Sequence, residues 1–236
     1  IRSLVIYHNP AKLWAWRRFY CDILKPGDIA FDVGAHVGTR ARAIRAAGVK
    51  VIAVEPQDLF ARYLRRTLPR DIVLIEAAVG RSESLVEMVV SSRHPTVSSL
   101  QQSFVTEAAS VPGFGHVRWD RRQSVKMVTL DNLIARYGVP GYVKIDVEGY
   151  ELEVLSGLSR PVNMLSVEYL PGFAELSQAV IACLEELGAY RFNPVVGEGA
   201  RFLWEDWRDG AAVRAWLDSL PNDAPSGDLF ARLDTR

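Results

Sequence analysis

A chain of 236 residues is long enough for one well-packed α/β domain and short for two. With 49% hydrophobic and 24% charged residues it is not a disordered polymer, and 28 Lys plus Arg against 28 Asp plus Glu leave no electrostatic reason to expect nucleic acid or a membrane surface as partner. Cys21 and Cys183 are too few and too far apart for a disulfide framework or a zinc knuckle and read as two small core residues, while no apolar run nears the ~20 residues of a membrane span. No signal peptide is recognisable, so the expected location is cytoplasmic.

In chain order, residues 11–24 place Leu13, Trp16, Phe19, Tyr20, Ile23 and Leu24 at helical spacing before Pro26-Gly27. Residues 1–24 read as an N-terminal helical extension with an aromatic stripe packed on the core. Strands are expected at 29–32, 49–54 and 72–79, with helices at 39–47 and 58–68 between them, and a further short strand at 85–90. From 91 to 123 the pattern fades into Ser, Pro, Gly, Arg and aromatic residues, which marks a lid or substrate loop. A strand at 125–128 and a helix at 131–137 follow. The strand 142–147 leads through Glu148-Gly149 into a helix, and 163–168 is another strand. A helix at 173–187 carries Leu176, Val180, Cys183, Leu184 and Leu187 on one face. Residues 191–196 and 200–204 are expected to form a closing antiparallel pair around Gly197-Glu198-Gly199, and 211–220 a last helix before a Pro/Ser/Gly-bearing tail. The expected architecture is a single α/β domain, a Rossmann-like doubly wound, mostly parallel sheet with a C-terminal antiparallel strand pair.

The densest signal is Ile29-Ala-Phe-Asp-Val-Gly-Ala-His-Val-Gly38 followed by Val51-Ile-Ala-Val-Glu-Pro56. A strand ends in Asp32, a turn holds Gly34, Ala35, His36 and Gly38, and a second strand ends in Glu55, the spacing at which an acid meets a nucleotide ribose. His36 stands where a dinucleotide fingerprint has glycine for close contact with pyrophosphate. A ligand with adenosine but no phosphate, such as S-adenosylmethionine, relaxes that demand. Asp32, Glu55, Ala78, Asp146 and Glu168 all fall at the carboxyl ends of expected parallel strands and should share one rim.

On that rim Glu55 is expected to accept both ribose hydroxyls, and Asp32 either the ammonium of the methionine moiety or the N–H groups of its own turn. Pro56 and Gln57 border the adenine, and Ala78 and Val79 either adjoin it or are simply packed. In Lys144-Ile-Asp-Val-Glu148 two carboxylates fall on alternate residues, hence on one side of an extended strand. Asp146 and Glu148 are therefore candidates for the base that takes a proton from an acceptor hydroxyl, Glu148 having helix capping as its alternative duty. His94 and His36 are further acid–base candidates. Asp146, Glu148 and Glu168 offer hard oxygen ligands, but their spacing is not specific and no metal is expected.

Together these segments resemble the FkbM-like family of class I S-adenosylmethionine-dependent methyltransferases. The resemblance rests on Lys25-Pro-Gly-Asp28, Phe31-Asp-Val-Gly-Ala-His-Val-Gly38, Val54-Glu-Pro56, Ala77-Ala-Val-Gly80, Ser98-Ser-Leu100, Thr129-Leu-Asp131 and Lys144-Ile-Asp-Val-Glu-Gly-Tyr-Glu151. The sequence departs from the family at His36, commonly Asn, and at Thr39-Arg40, near which an aromatic pair is common. The resemblance implies S-adenosyl-L-methionine as cofactor and methyl transfer to oxygen, with a sugar or natural-product hydroxyl as the small-molecule acceptor. Two other readings of the residues stay open: an NAD-dependent oxidoreductase, and a non-catalytic cofactor-binding module.

Overall fold

The computed structural model describes residues 10–91, 100 and 119–234. After α1 (Pro10–Ile23), β1 (Ile29–Val33), α2 (Thr39–Arg45), β2 (Lys50–Val54), α3 (Asp58–Thr67) and β3 (Val73–Ile75) alternate. Three short-range strands follow, β4 (Ala78–Val79), β5 (Ser84–Val90) and β6 (Arg121–Val128). Alternation resumes with α4 (Leu130–Tyr137), β7 (Tyr142–Ile145), α5 (Glu151–Leu155), β8 (Met164–Tyr169) and α6 (Ala174–Leu187). The chain closes with β9 (Tyr190–Val196), α7 (Gly210–Asp218) and β10 (Gly227–Leu233).

The main sheet has the order β3-β2-β1-β7-β8-β10-β9, and a smaller one the order β4-β6-β5. Strands β1, β2, β3, β7 and β8 are parallel, whereas β10 runs antiparallel to both β8 and β9. Strand order reverses between β1 and β7, which puts a crevice beyond the carboxyl ends of β1, β2 and β7, the place where such sheets take ligands.

The alternation of β1 shows why the sheet is covered on both sides. Phe31 and Val33 enter a core with Leu130, Val154, Ile181 and Val213, contributed by α4 to α7. Ala30 faces the opposite core, built with Trp16, Phe19 and Tyr20 of α1, Ile44 of α2 and Leu64 of α3. Phe31, Ile52 and Ile145 are fully buried, each worth about 1.5–3 kcal/mol of apolar burial. The aromatic stripe of α1 is thus core on one side of the sheet; Cys21, by contrast, is exposed rather than a core residue.

Three boundaries differ from the sequence expectation. The run 72–79 divides at Glu76-Ala77, and β4 leaves the main sheet to pair with β6. Of the expected lid or substrate loop 91–123, residues 92–99 and 101–118 lie outside the described residues, and its far end is strand, because Arg121, Arg122 and Gln123 pair with Val90, Val89 and Met88. The closing antiparallel pair is β9 with β10, drawn from the tail, not with residues 200–204. Pro194 explains the latter: on the edge facing that segment it accepts from Leu203 N at 2.8 Å but has no N–H to return. Among the described residues no helix is long and apolar enough to cross a membrane.

Candidate functional site

The turn after β1 is fixed from both sides. Gly34 N and Ala35 N both donate to Val54 O at 3.0 Å, tying the turn to the end of β2. Gly34 has φ 83°, and a Cβ there would collide with the backbone carbonyl of Asp146, so glycine is required by the approach of the β7 end as well as by conformation. His36 is also left-handed, at φ 51°, which turns its backbone N–H toward Glu55.

Glu55, 5% exposed, accepts from His36 N through Oε2 and from Gln57 N through Oε1, both at 2.8 Å. Burial pushes its carboxyl up to about 7 despite those two bonds. Each oxygen retains acceptor capacity toward the crevice. Gln57 is 3% exposed and its Nε2 has no hydrogen-bond partner. The His36 ring packs edge-on against Phe60, centroids 4.1 Å apart, and burial lowers it to about 4, so it is neutral at physiological pH and a weak base.

These residues wall a cavity of about 190 Å³ that brings together Gly34, His36, Glu55, Pro56, Ala78, Val79, Asp146, Glu148 and Glu168. Asp32 and Ala35 line an adjoining cavity of about 90 Å³ behind the glycine turn. Gly38 lines neither; it caps α2 at φ 77° and sits close to Leu64 and Leu68. His94 lies outside the described residues. Asp32 is fully buried and burial raises it to about 6, opposed first by Lys144.

At the far wall, Asp146, Glu148 and Glu168 bring carboxylate oxygens within 4.8 Å of one another. The reason differs from the sequence expectation. Strand β7 stops at Ile145, so Asp146 and Glu148 converge from a turn in which Glu148 has φ 54°, not from one side of an extended strand. That turn is tied by Glu151, the first residue of α5, whose Oε1 accepts from Val147 N at 3.2 Å and Gly149 N at 3.1 Å.

The three acids are electrostatically unequal. Lys144 Nζ donates to Asp146 Oδ2 at 2.6 Å, and although burial pushes Asp146 up, Lys144 more than offsets it and holds this carboxyl below its usual range. Burial, followed by repulsion from Asp146, pushes both Glu148 and Glu168 well above theirs. The site therefore pairs one firmly ionised acid with two that hold protons readily. Asp146 lines all three cavities on this rim, and Glu168 lines the 190 Å³ cavity and a third of about 200 Å³ beyond β8 and β10. Sequence reasoning overlooked Lys144 as the partner of Asp146, although their i, i+2 spacing at a strand end carries that signal; it gave no sign of Arg40 or Glu198, which the fold brings to the rim from α2 and the β9 turn.

A doubly wound sheet with a glycine turn after β1, an acid closing β2 and further acids at the ends of β7 and β8 defines a class I methyltransferase domain. The Methyltransferase FkbM domain matches residues 32–220, and the chain belongs to that family. It is 30% identical over 151 residues to the hexuronic acid methyltransferase AglP of Haloferax volcanii, the matched region being 61% of this chain and 57% of that protein. The chain thus spans under two thirds of the length of that curated relative. Among solved structures, precorrin-6y C5,15-methyltransferase from Geobacter metallireducens matches with TM-score 0.48 and 11% identity, covering 92% of this chain and 87% of that one. A ribosomal protein L11 methylase from Lactobacillus delbrueckii matches with TM-score 0.45 and 11% identity, covering 96% and 81%.

Proposed function

We propose that the protein is an S-adenosylmethionine-dependent O-methyltransferase acting on a hydroxyl of a sugar or a natural product. The observation that carries this is Glu55: a buried carboxylate held by two backbone amides at the wall of a 190 Å³ cavity that three clustered carboxylates also line. The chain's residues fit the cofactor's parts. Glu55 accepts from a ribose diol, the orphaned Gln57 Nε2 offers a donor toward the base, and Asp32 provides an anion for an ammonium. When bound, the cofactor supplies an electrophilic methyl group on a sulfonium.

Glu168 is the general base in this proposal. It borders both the 190 Å³ and the 200 Å³ cavities, so it stands between cofactor and acceptor, and once ionised it is a stronger base toward a hydroxyl than an exposed carboxylate because burial raises its affinity for a proton. Asp146, held ionised by Lys144, orients the acceptor and favours the cationic donor electrostatically. Aligning hydroxyl and methyl contributes the larger share of rate, since positioning alone is worth up to about 7–11 kcal/mol in favourable cases. A sugar acceptor is supported by the relative's name and by the density of hydroxyl-accepting carboxylates on the rim. The test is an acceptor screen with labelled methyl donor over neutral sugars, uronic acids and nucleotide sugars. Tight NAD binding without binding of the methyl donor or its product would overturn the proposal.

A further inference from the structure

The cavity of about 90 Å³ behind the glycine turn differs in character from its larger neighbour. Its charged lining is balanced, with Lys12, Arg40 and Lys144 against Asp32, Asp146 and Glu198. The described lining of the 190 Å³ cavity carries acids but no Lys or Arg. Opposite charges held side by side suit a zwitterion; a purely acidic wall suits a cation.

Among the described residues, two side chains on the smaller cavity leave buried N–H donors without hydrogen bonds, Trp16 at Nε1 and Arg40 at Nη1, while the Asp32 carboxylate, which meets the Ala41 backbone N–H, keeps further acceptor capacity on the same cavity. Asp32 and Trp16 are 0% and 2% exposed. Burying such groups unpaired is costly, so a site that keeps them is one organised around a partner. Arg40 is not free to turn away. Its Nη2 lies 3.4 Å from Asp228 and 3.7 Å from Glu198, and its Cζ is 3.2 Å from the centroid of the Trp16 ring. The stack holds these two N–H donors near one another, with the Asp32 carboxylate on the same cavity.

We propose that Trp16 and Arg40 together hold the α-carboxylate of the ligand's amino-acid end while Asp32 takes its ammonium, which makes helix α1 part of the ligand site. This rests on the methyl-donor reading above and goes beyond the family match, which begins at residue 32, after α1. Trp16 is then more than core. Its ring face carries Arg40 and its unpartnered N–H belongs to a residue lining the cavity, so the aromatic stripe both packs the sheet and, in this proposal, sets ligand choice.

The test uses calorimetry on the full chain with three probes: S-adenosylhomocysteine, its decarboxylated amine and 5′-methylthioadenosine, which lacks the whole amino-acid end. The wild type is expected to bind S-adenosylhomocysteine at least about tenfold tighter than either of the others, since hydrogen bonds to a charged group are worth about 1.5–3 kcal/mol. Trp16→Phe keeps a ring beneath Arg40 but removes the N–H. It is expected to lose about three- to tenfold in affinity for S-adenosylhomocysteine and nothing for 5′-methylthioadenosine. Equal affinity of the wild type for S-adenosylhomocysteine and its decarboxylated amine overturns the inference and leaves the methyl-donor reading standing, and that comparison needs no variant to fold. Equal losses for all probes in Trp16→Phe reduce Trp16 to a packing residue and overturn it too. Failure of every adenosine probe to bind removes the methyl-donor reading and this inference with it.

Discussion

Lys144 Nζ lies 2.6 Å from Asp146 Oδ2, the lysine side chain 3% exposed and the aspartate 37% exposed. A buried cation thus fixes a carboxylate at the mouth of the site, and the pair is made by the end of β7 itself. Removing the acid leaves the ammonium buried without its hydrogen bond, so Asp146→Asn is predicted to lose about 1–3 kcal/mol of stability as well as turnover. Lys144→Met added to Asp146→Asn should recover part of that stability but not activity, because an apolar stem of similar length replaces the stranded charge while Asp32 and Asp228 lose the cation that offsets their burial. Thermal melting and kcat separate the two. Recovery of both in the double variant would show that Asp146 serves only to neutralise Lys144.

Glu55 does two jobs, since its carboxylate holds the His36 and Gln57 amides as well as facing the cavity. Glu55→Gln places an NH₂ group against one of those N–H donors, so the variant disturbs the glycine turn along with the ribose contact. The predicted loss in affinity for S-adenosylhomocysteine is about 10- to 150-fold, corresponding to about 1.5–3 kcal/mol for hydrogen bonds to a charged group. Calorimetry on the folded variant decides it; an unchanged dissociation constant would take Glu55 out of the site.

Cofactor affinity is predicted to depend on pH through the same residue. Glu55 in the free protein is raised to about 7 by burial. Ribose hydroxyls donate to the ionised form, so binding lowers this pKa and releases a proton. The contribution to affinity is present above about 7 and lost as pH falls through it. Titrations from about pH 6 to about pH 8 in two buffers of different ionisation enthalpy should show both the affinity change and the proton release. A flat profile with no proton release argues that Glu55 does not meet the ligand.

Much of this was legible in the sequence, and the failures have identifiable causes. The β1 turn, the acid closing β2 and the acids after β7 and β8 depend on local strand and turn chemistry, which spacing reports. That Gly34 is needed for the nearby Asp146 carbonyl is a contact between residues far apart in sequence, which a local pattern cannot report. β10 was hidden because Pro221, Pro225, Ser226 and Gly227 give its approach the look of a tail, while its burial comes from insertion between β8 and β9. Arg40 and Glu198 escaped for the same reason: an ion pair 158 positions apart has no local signature.

Stability of the ligand-free chain is predicted to run opposite to its affinity. Burial raises Asp32 to about 6 and Glu55 and Glu151 to about 7, all above their unfolded values. The folded state therefore binds more protons than the unfolded one between about pH 4 and about pH 7, and stability falls as pH rises through that window. His36, lowered to about 4, works the other way within this window, but the three raised acids, joined by Glu148 and Glu168, outweigh it, and the depressed Asp146 acts only below about pH 4. Melting temperature should be higher near pH 5 than near pH 8, and S-adenosylhomocysteine should reduce the difference. A melting temperature that climbs steadily toward pH 8 would show that these acids are not buried as described.

The last prediction concerns the segment between β5 and β6. Its ends are held where Val90 pairs with Arg121, and Gln123 anchors the far strand by donating to Pro56 O at 2.8 Å and accepting from Asp58 N at 3.1 Å. The described ends of the segment therefore lie beside the residues that follow Glu55, and Met88 of β5 and Leu100 line the 190 Å³ cavity. Because paired strands lie only about 5 Å apart, a short Gly/Ser linker can close the gap if residues 92–118 are removed. The shortened chain is predicted to fold and to bind S-adenosylhomocysteine within a few-fold of the full chain, since Glu55, Asp32 and the glycine turn remain. If the segment covers the acceptor, as we propose, the shortened chain's kcat/KM for the acceptor drops far more. Comparable losses in cofactor binding and acceptor turnover would make it a structural part of the cofactor cavity, and an unaltered kcat/KM would place acceptor selection on the β8–β10 side, around Glu168 and Glu198.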